Sequence, residues 1–234
     1  MTQLCYTTNK GAEKNLMKGS ENLAETHVFL KKEEIANAIT HGIGIIFSIV
    51  ALVLLIVTAA QNGTAATVVA FSVYGGTMVL LYTFSTLLHS FPEGKVKDLF
   101  EIFDHSGIYL FIAGSYTPLA LLIVQGARGW TLFGIVWGIA LFGIIFKAFW
   151  VKKFLFLSTA LYIAMGWLIV FAWEPLITNL VFNGVILLVV GGLLYTIGSI
   201  FYVWRGFRFH HAVWHLFVLA GSVTHFLAII LYVV

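Results

Sequence analysis

Four of the eight histidines stand in i,i+4 pairs: Asn37/His41, Ser85/His89 and His211/His215. On a helix that spacing puts both members of a pair on one face, a turn apart. Two imidazoles so placed, His211 and His215, can share one metal ion. A third from His89, with Asp104 or a water, would complete a tetrahedral shell. The single cysteine, Cys5, is remote in sequence from this set. Histidine-rich, cysteine-free coordination suits Zn2+ with one position left open for water, the arrangement of catalytic more than of structural zinc. The rival reading makes these residues ordinary interfacial histidines, hydrogen-bonded to water or lipid headgroups. Spacing alone leaves both open. His27, His105 and His210 fit the interfacial reading better. His225 lies about 15 Å further along its helix than His215, too far to share an ion, and reads as a satisfied histidine inside a bundle.

The elements that must position these residues are set by composition. Of 234 residues, 60% are apolar and only 10% are charged, against about a quarter charged in soluble domains. A soluble fold built from this chain would have almost no polar surface, so its solvent is lipid. A membrane helix needs roughly 20 mostly apolar residues. Seven such stretches occur, at about 36–60, 66–89, 103–124, 128–149, 154–173, 179–203 and 211–234. Their breaks are short and polar or glycine-containing, at Gln61–Thr64, Pro92–Glu101, Gln125–Gly129, Lys152–Lys153, Glu174–Pro175 and Arg205–His210. Uniformly apolar runs of this length favour helices over barrel strands, which would alternate polar and apolar. The expected fold is all-α: a polytopic membrane protein with a seven-transmembrane helix bundle over residues 35–234, preceded by a tail over 1–34.

Counting Lys and Arg by side sets the orientation. The tail, the second, fourth and sixth loops and their flanks hold all of the 13 cations except Arg128. The N-terminus is therefore expected in the cytosol and the C-terminus outside, in a multi-pass protein of the cytoplasmic (inner) membrane. The tail mixes Lys and Glu and has no apolar signal core; it reads as a solvated, partly disordered tail, the alternative being that about 21–34 lies on the membrane surface as an amphipathic helix. With this orientation His41, His89, Asp104, His211 and His215 all fall at the cytosolic ends of the first, second, third and seventh helices. A net charge of +3, scattered along the chain, excludes a nucleic-acid partner. No internal repeat suggests the inverted halves of secondary transporters, and the last helix has no lysine for a retinal Schiff base. Gly134 and Gly138 form a GxxxG, which serves either helix packing or a homodimer.

At these residues the sequence resembles the hemolysin III family, the bacterial branch of the progestin and adipoQ receptor superfamily. The matching strings are Glu-Glu-Ile-Ala-Asn-Ala-Ile-Thr-His-Gly (33–42), Ser-Thr-Leu-Leu-His (85–89), Phe-Asp-His-Ser-Gly-Ile-Tyr-Leu-Phe-Ile-Ala-Gly-Ser-Tyr-Thr-Pro (103–118), His-Ala-Val-Trp-His (211–215) and Thr-His-Phe (224–226). Each is weak singly; in this order on seven helices the set is specific. The resemblance implies a Zn2+ ion near the cytosolic face held by His89, His211 and His215. Asp104 would hold or activate the water there, with Ser85 beside it and Asn37 and His41 in supporting roles. The superfamily also looks like the alkaline ceramidases, which hydrolyse an amide with the same five residue types.

The expected function is that of a zinc-dependent membrane hydrolase acting on a lipid amide or ester, with membrane lipid as substrate. Two alternatives accompany it. One is a haemolytic, pore-forming protein, as the family name says, although seven obligate spans do not suit a secreted toxin. The other is a receptor-like sensor in which zinc is structural.

Overall fold

The computed structural model describes the backbone from residue 3 to 233 and the side chains from 31 to 233. Most of the tail expected over 1–34, including Cys5 and His27, lies outside the described side chains. Among the described residues every regular element is helical: α1 (Gln3–Asn62), α2 (Ala65–Ser90), α3 (Lys95–Pro118), α4 (Gly126–Trp150), α5 (Leu155–Gly166), α6 (Trp173–Asn179), α7 (Phe182–Val203) and α8 (His210–Tyr232). Seven segments are long and apolar enough to cross a membrane, the fifth of them being α5 and α6 together over Leu155–Asn179. In lipid a backbone can satisfy its N–H and C=O groups only internally, which is why apolar runs of this length fold as helices.

Sequence neighbours pack side by side from α1 to α4; α5 then meets α3 and α7, α7 pairs with α8, and α8 closes on α1. The helices therefore form a ring, and the residues at one end of α1, α2, α3 and α8 face a common interior. α2 begins with a reciprocal capping box: the Thr67 N–H donates to Thr64 Oγ1 (3.3 Å) and the Thr64 N–H to Thr67 Oγ1 (3.1 Å). Between α2 and α3 the chain reverses through Gly94, whose φ of 152° suits glycine alone. α2 and α3 approach so closely that a Cβ on Gly114 would overlap the Thr77 hydroxyl.

Several element boundaries differ from the sequence reading, α1 among them, which runs unbroken from Gln3 where the first helix was expected from about 36. α3 starts at Lys95, not near 103, because the charged stretch after Gly94 continues the helix into the interfacial layer, with Asp98 in the first turn where the helix dipole favours an anion. Glu174–Pro175 is not a loop. Pro175 sits in the first turn of α6, where its missing N–H removes no helical bond, and the chain turns at Leu180–Val181 instead. The interruption lies inside the span, at Trp167 and a 3₁₀ stretch over Leu168–Ala172. Tyr116 of α3 closes it: its hydroxyl donates to Gly166 O (2.7 Å) and accepts from the Ile169 N–H (2.9 Å). A second irregularity follows Pro118, where the missing N–H ends α3 and the chain continues as a π turn over Leu119–Val124, closed by the Gln125 N–H to Ala120 O (2.9 Å).

The loop charges pair at two levels. Arg128 meets Glu174 at 3.0 Å, both well exposed, and Lys152 meets Asp98 at 2.7 Å at the opposite end of the bundle. Lys147, counted with the fourth-loop cations, is instead fully buried in α4, its ammonium reaching along the helix to within 3.4 Å of Val151 O.

Candidate metal centre

α2 delivers His89 in its last turn and α8 delivers His211 and His215 in its first two turns. Because α8 closes on α1 beside α2, the three imidazoles converge. Each offers a ring nitrogen, and the three nitrogens lie within 4.8 Å of one another. The ring centroids are 5.1 Å apart for His89–His211, 5.2 Å for His89–His215 and 4.5 Å for His211–His215. Tetrahedral zinc with bonds of about 2.0–2.1 Å sets its nitrogens roughly 3.4 Å apart, so small side-chain rotations close this set on one ion.

Hydrogen bonds decide which nitrogens face inward. His89 Nδ1 is 2.7 Å from Glu34 Oε2, so Nδ1 carries the proton and donates it, leaving the Nε2 lone pair free. His89 Nε2 is buried and has no hydrogen-bond partner. His215 Nδ1 lies 3.2 Å from Asn37 O and 3.1 Å from Thr40 Oγ1. The Thr40 hydroxyl already donates to the α1 backbone, so it accepts from His215, and the Nε2 of His215 is again the free nitrogen. Ligands of this kind usually have the second ring N–H held by a carboxylate or carbonyl. The donor set fits a divalent cation: three imidazoles, two of them with Nδ1 held by hydrogen bonds, and a buried nitrogen that nothing in the protein satisfies.

The remaining residues surround this group. His41 stacks on His215 with centroids 3.4 Å apart and rings 13° from parallel, and neither of its nitrogens has a partner. Asn37 Nδ2 is 3.5 Å from His89 Nδ1; both are donors, so Nδ1–H goes to Glu34. Ser85 is fully buried and its hydroxyl is unpartnered. Asp104 is buried on α3, with His105 Nδ1 3.8 Å from its carboxylate. It does not join the three-imidazole group; among the described residues no carboxylate does.

Asp104, Ser85, His41, His211 and His215 line one end of an internal cavity of about 120 Å³. From there the wall is mostly apolar, with Leu81, Ile108, Phe111 and Val218 among hydroxyls such as Ser115, Thr159 and Ser199, and it reaches His225, Trp167 and Gly192. The polar groups at that far end are satisfied: His225 Nε2–H donates to Leu188 O (3.0 Å) and Trp167 Nε1–H to Thr196 Oγ1 (3.0 Å). Among the cavity-lining residues, the buried polar atoms that lack partners belong to His41 and Ser85, both at the histidine end.

His105 and His210 stay outside the cluster, bonded to Glu101 O (2.8 Å) and Phe201 O (3.1 Å) respectively. Sequence reasoning placed Glu34 at the end of the tail and gave it no role. The signal was available in the i,i+3,i+7 spacing of Glu34, Asn37 and His41, which puts all three on one face of α1.

The fold and site define a multi-pass helical membrane protein with a three-histidine centre at one end of the bundle. A family model described as "Haemolysin-III related" matches residues 29–226, and the chain belongs to that family. It is 57% identical over 202 residues to "Hemolysin-3" of Bacillus cereus, covering 86% of this chain and 92% of that one. It is 53% identical over 207 residues to "Hemolysin-3 homolog" of Bacillus subtilis (strain 168), covering 88% and 97%. A more distant relative is the human "Monocyte to macrophage differentiation factor", 30% identical over 164 residues and 67% of each chain. No solved structure gives a significant match.

Proposed function

We propose that this protein is a zinc-dependent hydrolase of a lipid amide or ester, working from the cytosolic side of the cytoplasmic membrane. The observation that carries this reading is the convergence of three imidazoles, two of which, His211 and His215, stand with a buried carboxylate and an unpartnered hydroxyl at one end of a mostly apolar cavity. His89, His211 and His215 would hold the ion. Zinc bound there supplies a Lewis acid that polarises a carbonyl and makes water acidic enough to attack near neutral pH. Asp104 takes the proton from the attacking water and returns it to the leaving nitrogen or oxygen. The Ser85 hydroxyl donates to the carbonyl oxygen as negative charge develops on it. The apolar wall beyond takes an acyl chain, since the far end has no unpartnered buried polar atom to satisfy. The cation count by side supports the orientation, with the histidine end on the cytosolic face.

The test is hydrolysis of lipid amides and esters by the zinc-loaded protein in lipid nanodiscs, with Asp104→Ala in parallel. The variant should retain the metal and lose turnover; equal turnover in both would overturn the assignment of Asp104. The names of the two bacterial relatives favour a second reading, membrane lysis. Dye release from vesicles, unchanged by His211→Ala/His215→Ala, would support lysis over hydrolysis.

A further inference from the structure

α1 grips the ends of the helices that carry the three histidines with two adjacent carboxylates. Glu34 Oε2 accepts from His89 Nδ1–H at 2.7 Å, and Glu34 Oε1 accepts from Lys97 Nζ at 3.1 Å. Lys97 is itself pinned by Glu93 Oε1 at 2.7 Å. Both Glu34 oxygens are thus engaged, one by α2 and one by α3, and the carboxylate cannot swing without breaking a charged contact. One residue earlier, Glu33 Oε1 accepts the backbone N–H of Phe209 at 2.6 Å, just ahead of α8. Phe209 has a φ of 61°, a left-handed conformation unusual for a bulky residue, and it sets where α8, with His211 and His215, begins.

From this geometry we infer that Glu34 is a positioning residue for the metal centre, with Lys97 as its anchor. By accepting the hydrogen bond of Nδ1–H it fixes the tautomer and ring orientation of His89, so that Nε2 points at the other two imidazoles. Its negative charge, shared with the ring through a short charge-assisted bond, makes Nε2 the stronger donor to a cation. The inference rests on the three-histidine metal site proposed above and adds a residue that ordinary reading of the sequence leaves in a solvated tail.

Zn2+ affinity, measured by competition with a chromophoric chelator on full-length protein in detergent, tests this. Electronic absorption after Co2+ substitution reports ligand geometry independently of activity. Glu34→Gln keeps the size of the side chain and an amide oxygen that can accept from Nδ1–H, but loses the charge; Glu34→Ala loses both. Affinity should fall in the order parent, Glu34→Gln, Glu34→Ala, with the alanine variant weaker by roughly 10- to 100-fold. The Co2+ spectrum should change in both, while Glu174→Gln, at the far end of the bundle, stays at the parent value. If Glu34 merely fills space, Glu34→Gln will bind Zn2+ like the parent with an unchanged Co2+ spectrum, and the inference is overturned while the metal site stands. If the folded parent binds no Zn2+, the site proposal fails and takes this inference with it.

Discussion

Tyr116→Phe removes a single oxygen, yet that oxygen serves two backbone groups at the break in the fifth span. It donates to Gly166 O at 2.7 Å and accepts from the Ile169 N–H at 2.9 Å. Tyr116 is only 4% exposed, so no bulk water stands ready to replace it. Each buried group left unpartnered costs about 1–3 kcal/mol, or roughly 2–6 kcal/mol for the two together. Part of this is recoverable, because the Ile169 N–H can turn to Gly166 O in an i→i−3 bond. A net loss of about 2–3 kcal/mol corresponds to a fall of roughly 4–12 °C in Tm for a chain of this size. Tryptophan-fluorescence melts in detergent read this directly. Tyr162→Phe, which loses one bond to His105 O (3.0 Å), is the graded control, at about 0.5–1.5 kcal/mol. A Tyr116→Phe melt within about one degree of the parent would refute the idea that this hydroxyl closes the break.

Further outcomes follow from the same contacts. Gly114→Ala places a methyl against the Thr77 hydroxyl and should cost about 1–3 kcal/mol by overpacking; adding Thr77→Ala should recover part of it, which a double-mutant cycle of melting points measures. Chelating bound metal should lower the Tm of the parent and leave His211→Ala/His215→Ala unmoved. At metal one hundred-fold above its Kd the stabilisation lost is about 2.7 kcal/mol.

The sequence told most where one physical requirement dominates. Continuous apolar runs must become helices in lipid, so all seven spans were legible, and i,i+4 spacing placed His211 with His215 and Ser85 with His89 before any packing was known. Boundaries set by local backbone chemistry were not. Glu174–Pro175 looks like a turn until Pro175 is seen in a first helical turn, where its missing N–H costs nothing. The actual break at Trp167 was hidden because its remedy, the Tyr116 hydroxyl, comes from another helix some fifty residues away. Glu34 was hidden for the opposite reason. A charged residue before an apolar run reads as solvated tail, and only the ring closure of α8 and α2 against α1 turns it into a partner of His89. Asp104 was expected to complete the metal shell or hold its water, and its helix position could not reveal that it lines the cavity while standing outside the imidazole group.

The central claim is that His89, His211 and His215 hold a metal ion. Inductively coupled plasma mass spectrometry on detergent-purified protein, prepared without added metal, tests it most directly. About one zinc per chain in the parent and almost none in His211→Ala/His215→Ala is the predicted result. A well-folded parent that stays metal-free even after incubation with Zn2+ would contradict the account.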